Sequence, residues 1–251
     1  MSSSTISIAW SSIVWAHDLS GLQSPACNAI CKLVCETAKR VASIATPVRR
    51  TSSISLSRFV FIMRRLVRTD MSVHRLQLAF LLQTMFFGYL RCGEALDLLL
   101  SSVKVAADHL ELCIRGSKTD QLRRGQSVFI SLSYSSYCPS VIFARLKSAL
   151  QRNYYFSKDD YIFSDPTRKV RWSYSYCRLL LQRLLREFDI SGRITLHSFR
   201  AGGATASATT SDPPEERLLM EHGRWSSPSS KNLYLHSSLG GKLSVTKHIV
   251  F

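Results

Sequence analysis

Acidic residues are scarce in this 251-residue chain: 17 Asp and Glu stand against 33 Lys and Arg, a formal net charge of +16. That imbalance favours a polyanionic partner: DNA, RNA or an acidic membrane surface. No basic tail stands out, which argues against a disordered arm and for a folded surface that tracks phosphates. No apolar run approaches the roughly 18 residues of a membrane span. The most apolar stretch, LQLAFLLQTMFFGYL, is broken by Gln83 and Thr84 and reads as a buried helix. The N-terminus MSSSTISIAW has no charged n-region and no clean apolar core, so a secretory signal is not expected. No CxxC pair occurs among the seven cysteines, and Cys27, Cys31 and Cys35 lack a fourth ligand at compact spacing. A zinc site is therefore disfavoured, and reduced, partly buried thiols in an intracellular protein are expected. No internal repeat is evident.

Hydrophobic residues make up 45% of the chain and aromatics 10%, enough for a packed core. Residues 4–45 read as two helices, with apolar stripes at Ile13, Trp15, Ala16 and Leu19 and at Ile30, Leu33, Val34 and Ala38. Two short helices alone make a thin core. TPVRRTSS at 46–53 reads as a linker, SRFVFIMRRLV as an amphipathic helix, and 73–90 as a helix apolar almost all round. Alternation at Leu110, Leu112 and Ile114, a polar turn RGSKTDQLRRG and SVFIS at 127–131 predict a small antiparallel sheet over 103–131. Residues 140–151 and 173–188 are helical by pattern. Asp212–Pro213–Pro214–Glu215–Glu216 reads as a helix start with Asp212 as cap.

Several residues carry chemistry. Arg91 closes the apolar helix in FFGYLRCGEALDL, and a guanidinium there needs a charged partner. Glu94, three residues on, is within helical reach; the pair is either an internal ion pair or a carboxylate orienting Arg91 toward a phosphate. Lys118 lies at the hairpin tip, either a solvated turn residue or a lysine that reaches a DNA groove and delivers a proton. In LHSFRAGGATA, His197 and Arg200 share a helix face, and Gly202–Gly203 permit close backbone approach. Trp225 and Tyr234 flank a polar SSPSSKN loop; in isolation they read as packing aromatics.

In that order, Arg91, Lys118, His197, Arg200, Trp225 and Tyr234 resemble the tyrosine recombinase (phage integrase) family. The likeness covers about residues 49–240. The HGRW form is similar to recombinases of eukaryotic mobile elements, the Crypton and DIRS-type groups. Trp225 stands where many members carry a second histidine; it keeps one N–H donor but cannot shuttle a proton.

The resemblance implies a mainly α (α+β) catalytic domain with a small antiparallel sheet over residues 47–251. A shortened helical core-binding domain would precede it at residues 1–46. It implies metal-independent strand cleavage and rejoining with no cofactor and Tyr234 as nucleophile. Arg91 and Arg200 would hold the phosphate, His197 would assist as acid/base, Trp225 would donate or pack, Lys118 would protonate the leaving oxygen, and Glu94 would support Arg91. The implied partners are double-stranded DNA and further copies of the chain, as dimer or tetramer, with no membrane. The implied setting is intracellular and nuclear. The alternative expectation is a DNA-binding protein derived from a mobile element that no longer recombines. Type IB topoisomerases share the Arg/Lys/Arg/Tyr chemistry, but the GRW segment points away from them.

Overall fold

The computed structural model describes residues 2–45, 52–67, 72–116, 125–133 and 135–235. It divides into two compact units, Met1–Arg50 and Thr51–Phe251. The first holds two helices, α1 (Ser3–Leu19) and α2 (Ala29–Ala45), joined through a 3₁₀ turn at Pro25–Cys27. Ser2 caps α1, its side chain accepting from Thr5 N. Neither helix buries a residue. The apolar stripes read from the sequence stay exposed: Trp15 at 64%, Leu33 at 65%. Cys27 lies in the 3₁₀ turn and not on the face of α2, so the three cysteines do not share one helix.

In the second unit, α3 (Leu56–Leu66) starts at Ser55, whose side chain accepts from Arg58 N. It buries Phe59, Ile62, Met63 and Leu66, the i, i+3, i+4, i+7 set of an amphipathic helix. The next helix, α4 (Val73–Phe87), is buried on all sides from Leu76 to Phe86 and forms the centre of the core. Its two buried glutamines are accommodated by backbone carbonyls. Gln77 donates to Ile162 O and Ser164 O at 2.7 and 2.8 Å, and Gln83 to Tyr137 O at 2.5 Å. After α4 come a short helix α5 (Cys92–Leu96) and the strands β1 (Val103–Val105), β2 (His109–Ile114) and β3 (Gln126–Ser131). The strands form an antiparallel sheet in the order β1-β2-β3, with Leu110 opposite Ile130 and Leu112 opposite Val128. Leu110, Leu112 and Ile114 face the core, as the alternation predicts.

The remaining helices are α6 (Pro139–Asn153), α7 (Tyr174–Glu187), α8 (Leu196–Ala208), α9 (Glu216–Gly223) and α10 (Pro228–Asn232). α4 packs against α3, α5, α6 and α8. The approach of α8 is set by glycine: a Cβ at Gly203 would meet the Phe86 backbone, and one at Gly202 the Ile54 backbone. Phe59 stacks on Phe86 at 3.9 Å beside this contact.

Two local expectations are corrected. The helix after the double proline begins at Glu216 with Glu215 as N-cap, so Asp212 is not its cap. A residue before proline is disfavoured in the α region, and Pro213–Pro214 hold both preceding residues out of the helix. The SSPSSKN stretch is also no plain loop. Ser227 accepts from Ser230 N, Pro228 takes the first helical position, and the five residues of α10 follow.

Candidate functional site

The site gathers around the turn between α4 and α5. Gly88 ends α4, with its N–H on Thr84 O at 3.1 Å. Tyr89 then takes a left-handed φ of 48°, reversing the chain, and Arg91 becomes the N-cap of α5. Arg91 is therefore not on the apolar helix. The glycine and the positive φ at Tyr89 break that helix before Arg91 is reached. Glu94 sits at the third position of α5 and returns to Arg91 N at 2.8 Å, while Arg91 Nη1 donates to Glu94 Oε1 at 2.6 Å. The pair expected from the three-residue spacing forms, through a cap and not along a continuous helix.

Glu94 is buried and serves more than one cation. Its Oε2 accepts from Arg224 Nη2 at 2.9 Å, and Arg200 Nη1 lies 3.7 Å away. Burial pushes the carboxyl up, but Arg224, the Arg91 N–H and the Arg91 guanidinium outweigh it and hold it below the usual carboxylate range. Arg224 is a site residue that sequence reasoning missed. It is buried, with φ of 54°, a conformation that costs a side-chain-bearing residue roughly 1–2 kcal/mol. Four hydrogen bonds compensate, to Gly88 O, Tyr89 O, His222 O and Glu94. No clear sequence signal marks it: the glycine of HGRW is the residue expected in the left-handed cap, yet Gly223 stays helical and Arg224 takes that conformation.

Arg200, on α8, is fully buried. It is not the surface residue that a plain His–Arg helix pair would suggest. Its Nη2 donates to Gly223 O at 2.6 Å and its Nη1 to Tyr89 O. Burial first, then repulsion from Arg91, lowers its guanidinium to about 10, so it stays charged at neutral pH. His197, three residues earlier, is exposed, because the face it shares with Arg200 leaves the core at the first turn of α8.

Tyr234 follows α10 and comes to rest on this cluster. Its ring lies 4.9 Å from Arg200 Cζ, 4.8 Å from the His197 ring and 5.3 Å from the Trp225 ring. Its backbone is held at both ends: Tyr234 N donates to Lys231 O at 2.8 Å, and Thr205 on α8 donates to Tyr234 O at 3.1 Å. Lys231 is buried and ion-paired to Glu216, tying α10 to α9. Trp225 is buried under the tyrosine, and Arg200 lies 5.2 Å from its ring. Gly223 makes room for that ring, since a Cβ there would meet the Trp225 side chain. His222, in the last turn of α9, donates from Nε2 to Phe87 O at 2.7 Å; burial holds its imidazole below the ordinary value.

The structure thus brings Arg91, Glu94, His197, Arg200, Trp225 and Tyr234 together from four segments: the α4–α5 turn, α8, the end of α9 and the end of α10. Lys118 lies outside the described residues. The site is rich in donors and short of acceptors. Three guanidiniums, on Arg91, Arg200 and Arg224, face one carboxylate, which leaves two net positive charges. Arg200 Nε, Arg224 Nε and Trp225 Nε1 are buried without a hydrogen-bond partner. Such a cluster suits an oxyanion held beside the phenol of Tyr234. Among the described residues no group of three His, Cys, Asp or Glu could hold a metal ion, and all seven cysteines are free thiols. No helix of the described residues is long and apolar enough to cross a membrane.

Known structures share this fold at low identity. XerH site-specific recombinase, solved in a post-cleavage complex with palindromic difH substrate, is 16% identical with a TM-score of 0.59, covering 79% of this chain and 52% of its own. XerA recombinase is 14% identical with a TM-score of 0.58, covering 99% and 83%. A lambda integrase dimer bound to a COC′ core site is 13% identical with a TM-score of 0.52, covering 94% and 65%. The chain spans about half the length of the XerH chain it matches. No curated protein sequence matches it significantly. Residues 59–239, which carry every element of the cluster from α3 to Tyr234, match the phage integrase family, and the chain belongs to that family.

Proposed function

We propose that this chain cleaves and rejoins DNA strands site-specifically through a covalent 3′-phosphotyrosyl intermediate. The observation that carries the reading is the seating of Tyr234 on a buried guanidinium, with His197 beside the ring and Arg91 across Glu94. In this scheme Tyr234 Oη attacks a backbone phosphorus and the P–O5′ bond breaks. In this reading the phenol proton passes to His197 as base, and the departing 5′-oxygen takes a proton from Lys118. Arg91 and Arg200 hold the non-bridging oxygens. The two net positive charges of the cluster match the roughly two negative charges that develop on a five-coordinate phosphorane. The bond energy is kept in the phosphotyrosine, so attack by a second strand's 5′-hydroxyl reverses the step without ATP.

Duplex DNA is then the substrate, and the net charge of +16 supports that partner. The DNA-bound lambda integrase dimer supports action by at least two copies, and we extend the proposal to a tetramer. The Gly223–Arg224–Trp225 tripeptide supports a place among Crypton or DIRS-type mobile-element recombinases, with nuclear DNA as target.

The test is covalent trapping on a nicked duplex carrying the target site. The wild-type chain is expected to give a protein–DNA adduct that disappears in Tyr234→Phe, while salt-sensitive duplex binding persists in that variant. Binding without any adduct on a verified site would refute cleavage and leave a DNA-binding protein that no longer recombines.

A further inference from the structure

Arg224 departs from what its backbone asks for. Its φ of 54° is one that glycine adopts freely. An arginine held there must earn the position through its side chain, and its partners show how. Three of its four acceptors, Gly88 O, Tyr89 O and Glu94 Oε2, belong to the turn that presents Arg91. The next residue along the chain, Trp225, begins the segment that ends at Tyr234. Arg224 is thus the polar tie between the Arg91 turn and the tyrosine segment.

The division of Glu94 is the informative detail. Oε1 takes Arg91 Nη1 at 2.6 Å; Oε2 takes Arg91 N at 2.8 Å and Arg224 Nη2 at 2.9 Å. Arg200 Nη1 stands off at 3.7 Å, beyond hydrogen-bonding distance; its guanidinium donates to Tyr89 O and Gly223 O and lies against Tyr234 and Trp225. A carboxylate oxygen with two donors has little left for a third.

We propose that Arg224 is a positioning residue for strand cleavage: by filling Glu94 Oε2 it keeps Arg200 off the carboxylate and beneath Tyr234. Without Arg224, Glu94 Oε2 loses its buried cationic partner, and Arg200 is the nearest buried cation able to replace it. Closing the 3.7 Å gap to a hydrogen bond would draw the guanidinium away from the phosphate-facing position. The inference rests on the cleavage reading above.

Arg224→Gly suits the backbone while deleting the side chain. On a nicked duplex, its adduct formation should slow by on the order of 10²-fold, with duplex affinity unchanged. The same substitution made in a Glu94→Gln background should cost clearly less, because the competing charge is gone. Equal losses in both backgrounds would overturn the proposal, as would a fall in affinity that matches the fall in rate. If Arg224→Gly does not fold, Arg224→Lys compared with Arg224→Gln takes its place. Lysine, which keeps a cation on Glu94, should retain more rate than glutamine, and equal rates would overturn the proposal. If the wild-type chain forms no adduct at all, cleavage fails as a reading and the crystal structure of Arg224→Gly decides. Arg200 in hydrogen-bond contact with Glu94 supports the proposal, and an unmoved Arg200 overturns it.

Discussion

Replacing Gly203 with alanine separates two opposed effects and links packing to chemistry. Gly203 lies inside α8, where alanine would by helix propensity alone stabilise the protein by about 1 kcal/mol. The structure opposes this. A Cβ at Gly203 would lie 2.7 Å from the Phe86 carbonyl carbon, nearer still to its oxygen, and 3.0 Å from Tyr89 Cε1. Ordinary carbon contacts begin at about 3.5 Å, so α8 must retreat from α4 by roughly 1 Å. The obstacle is backbone inside a buried helix, which cannot rotate aside. Overpacking of this kind costs about 1–3 kcal/mol, and the upper end applies here. The net expectation is a loss of about 2 kcal/mol, read as a lower urea midpoint at unchanged m-value.

The same retreat moves Arg200, three residues earlier on α8, away from Tyr89 O and from Tyr234. Misplacement of about 1 Å is expected to slow adduct formation by on the order of 10²-fold. A Gly203→Ala variant as stable as the wild type, or more stable, would show that α4 and α8 are not in backbone contact. The argument that this contact positions Arg200 would fall with it.

Glu94→Ala should destabilise by about 3–5 kcal/mol in chemical denaturation, because it removes the carboxylate from Arg91 and the buried Arg224 and leaves Arg91 N without its acceptor. A loss below about 1 kcal/mol would mean the cluster is solvated. Acid should act in two stages. The folded values of both His222 and Glu94 lie below their ordinary ones, so the unfolded chain binds more protons as pH falls. The melting temperature should drop first below the ordinary histidine value of 6.5 and again below the ordinary glutamate value of 4.5. In His222→Gln the first drop should vanish while the second remains; an unchanged profile would place the first titration elsewhere.

The members of the cluster are named through the family resemblance, since Arg91, His197, Arg200, Trp225 and Tyr234 stand in that family's order, while each alone allows a plainer reading. The periods of α3 and β2, by contrast, announce by themselves which faces are buried. The Gly202–Gly203 pair likewise announces a close backbone approach, though not the helix it approaches. What local pattern could not supply is the effect of distant neighbours. Arg200 and His197 share a helix face, yet one is wholly buried and the other exposed, because α4 and the α9 end cover only one of them. Arg91 reads as helical until the left-handed Tyr89 breaks the helix and makes it a cap. Arg224 gains its role only when Glu94, 130 positions earlier, is folded against it. Side-chain type and period are properties of adjacent residues and survive in the sequence. Burial of a charge, and the sharing of one carboxylate by Arg91 and Arg224, are set by segments that meet only when the core of the second unit closes.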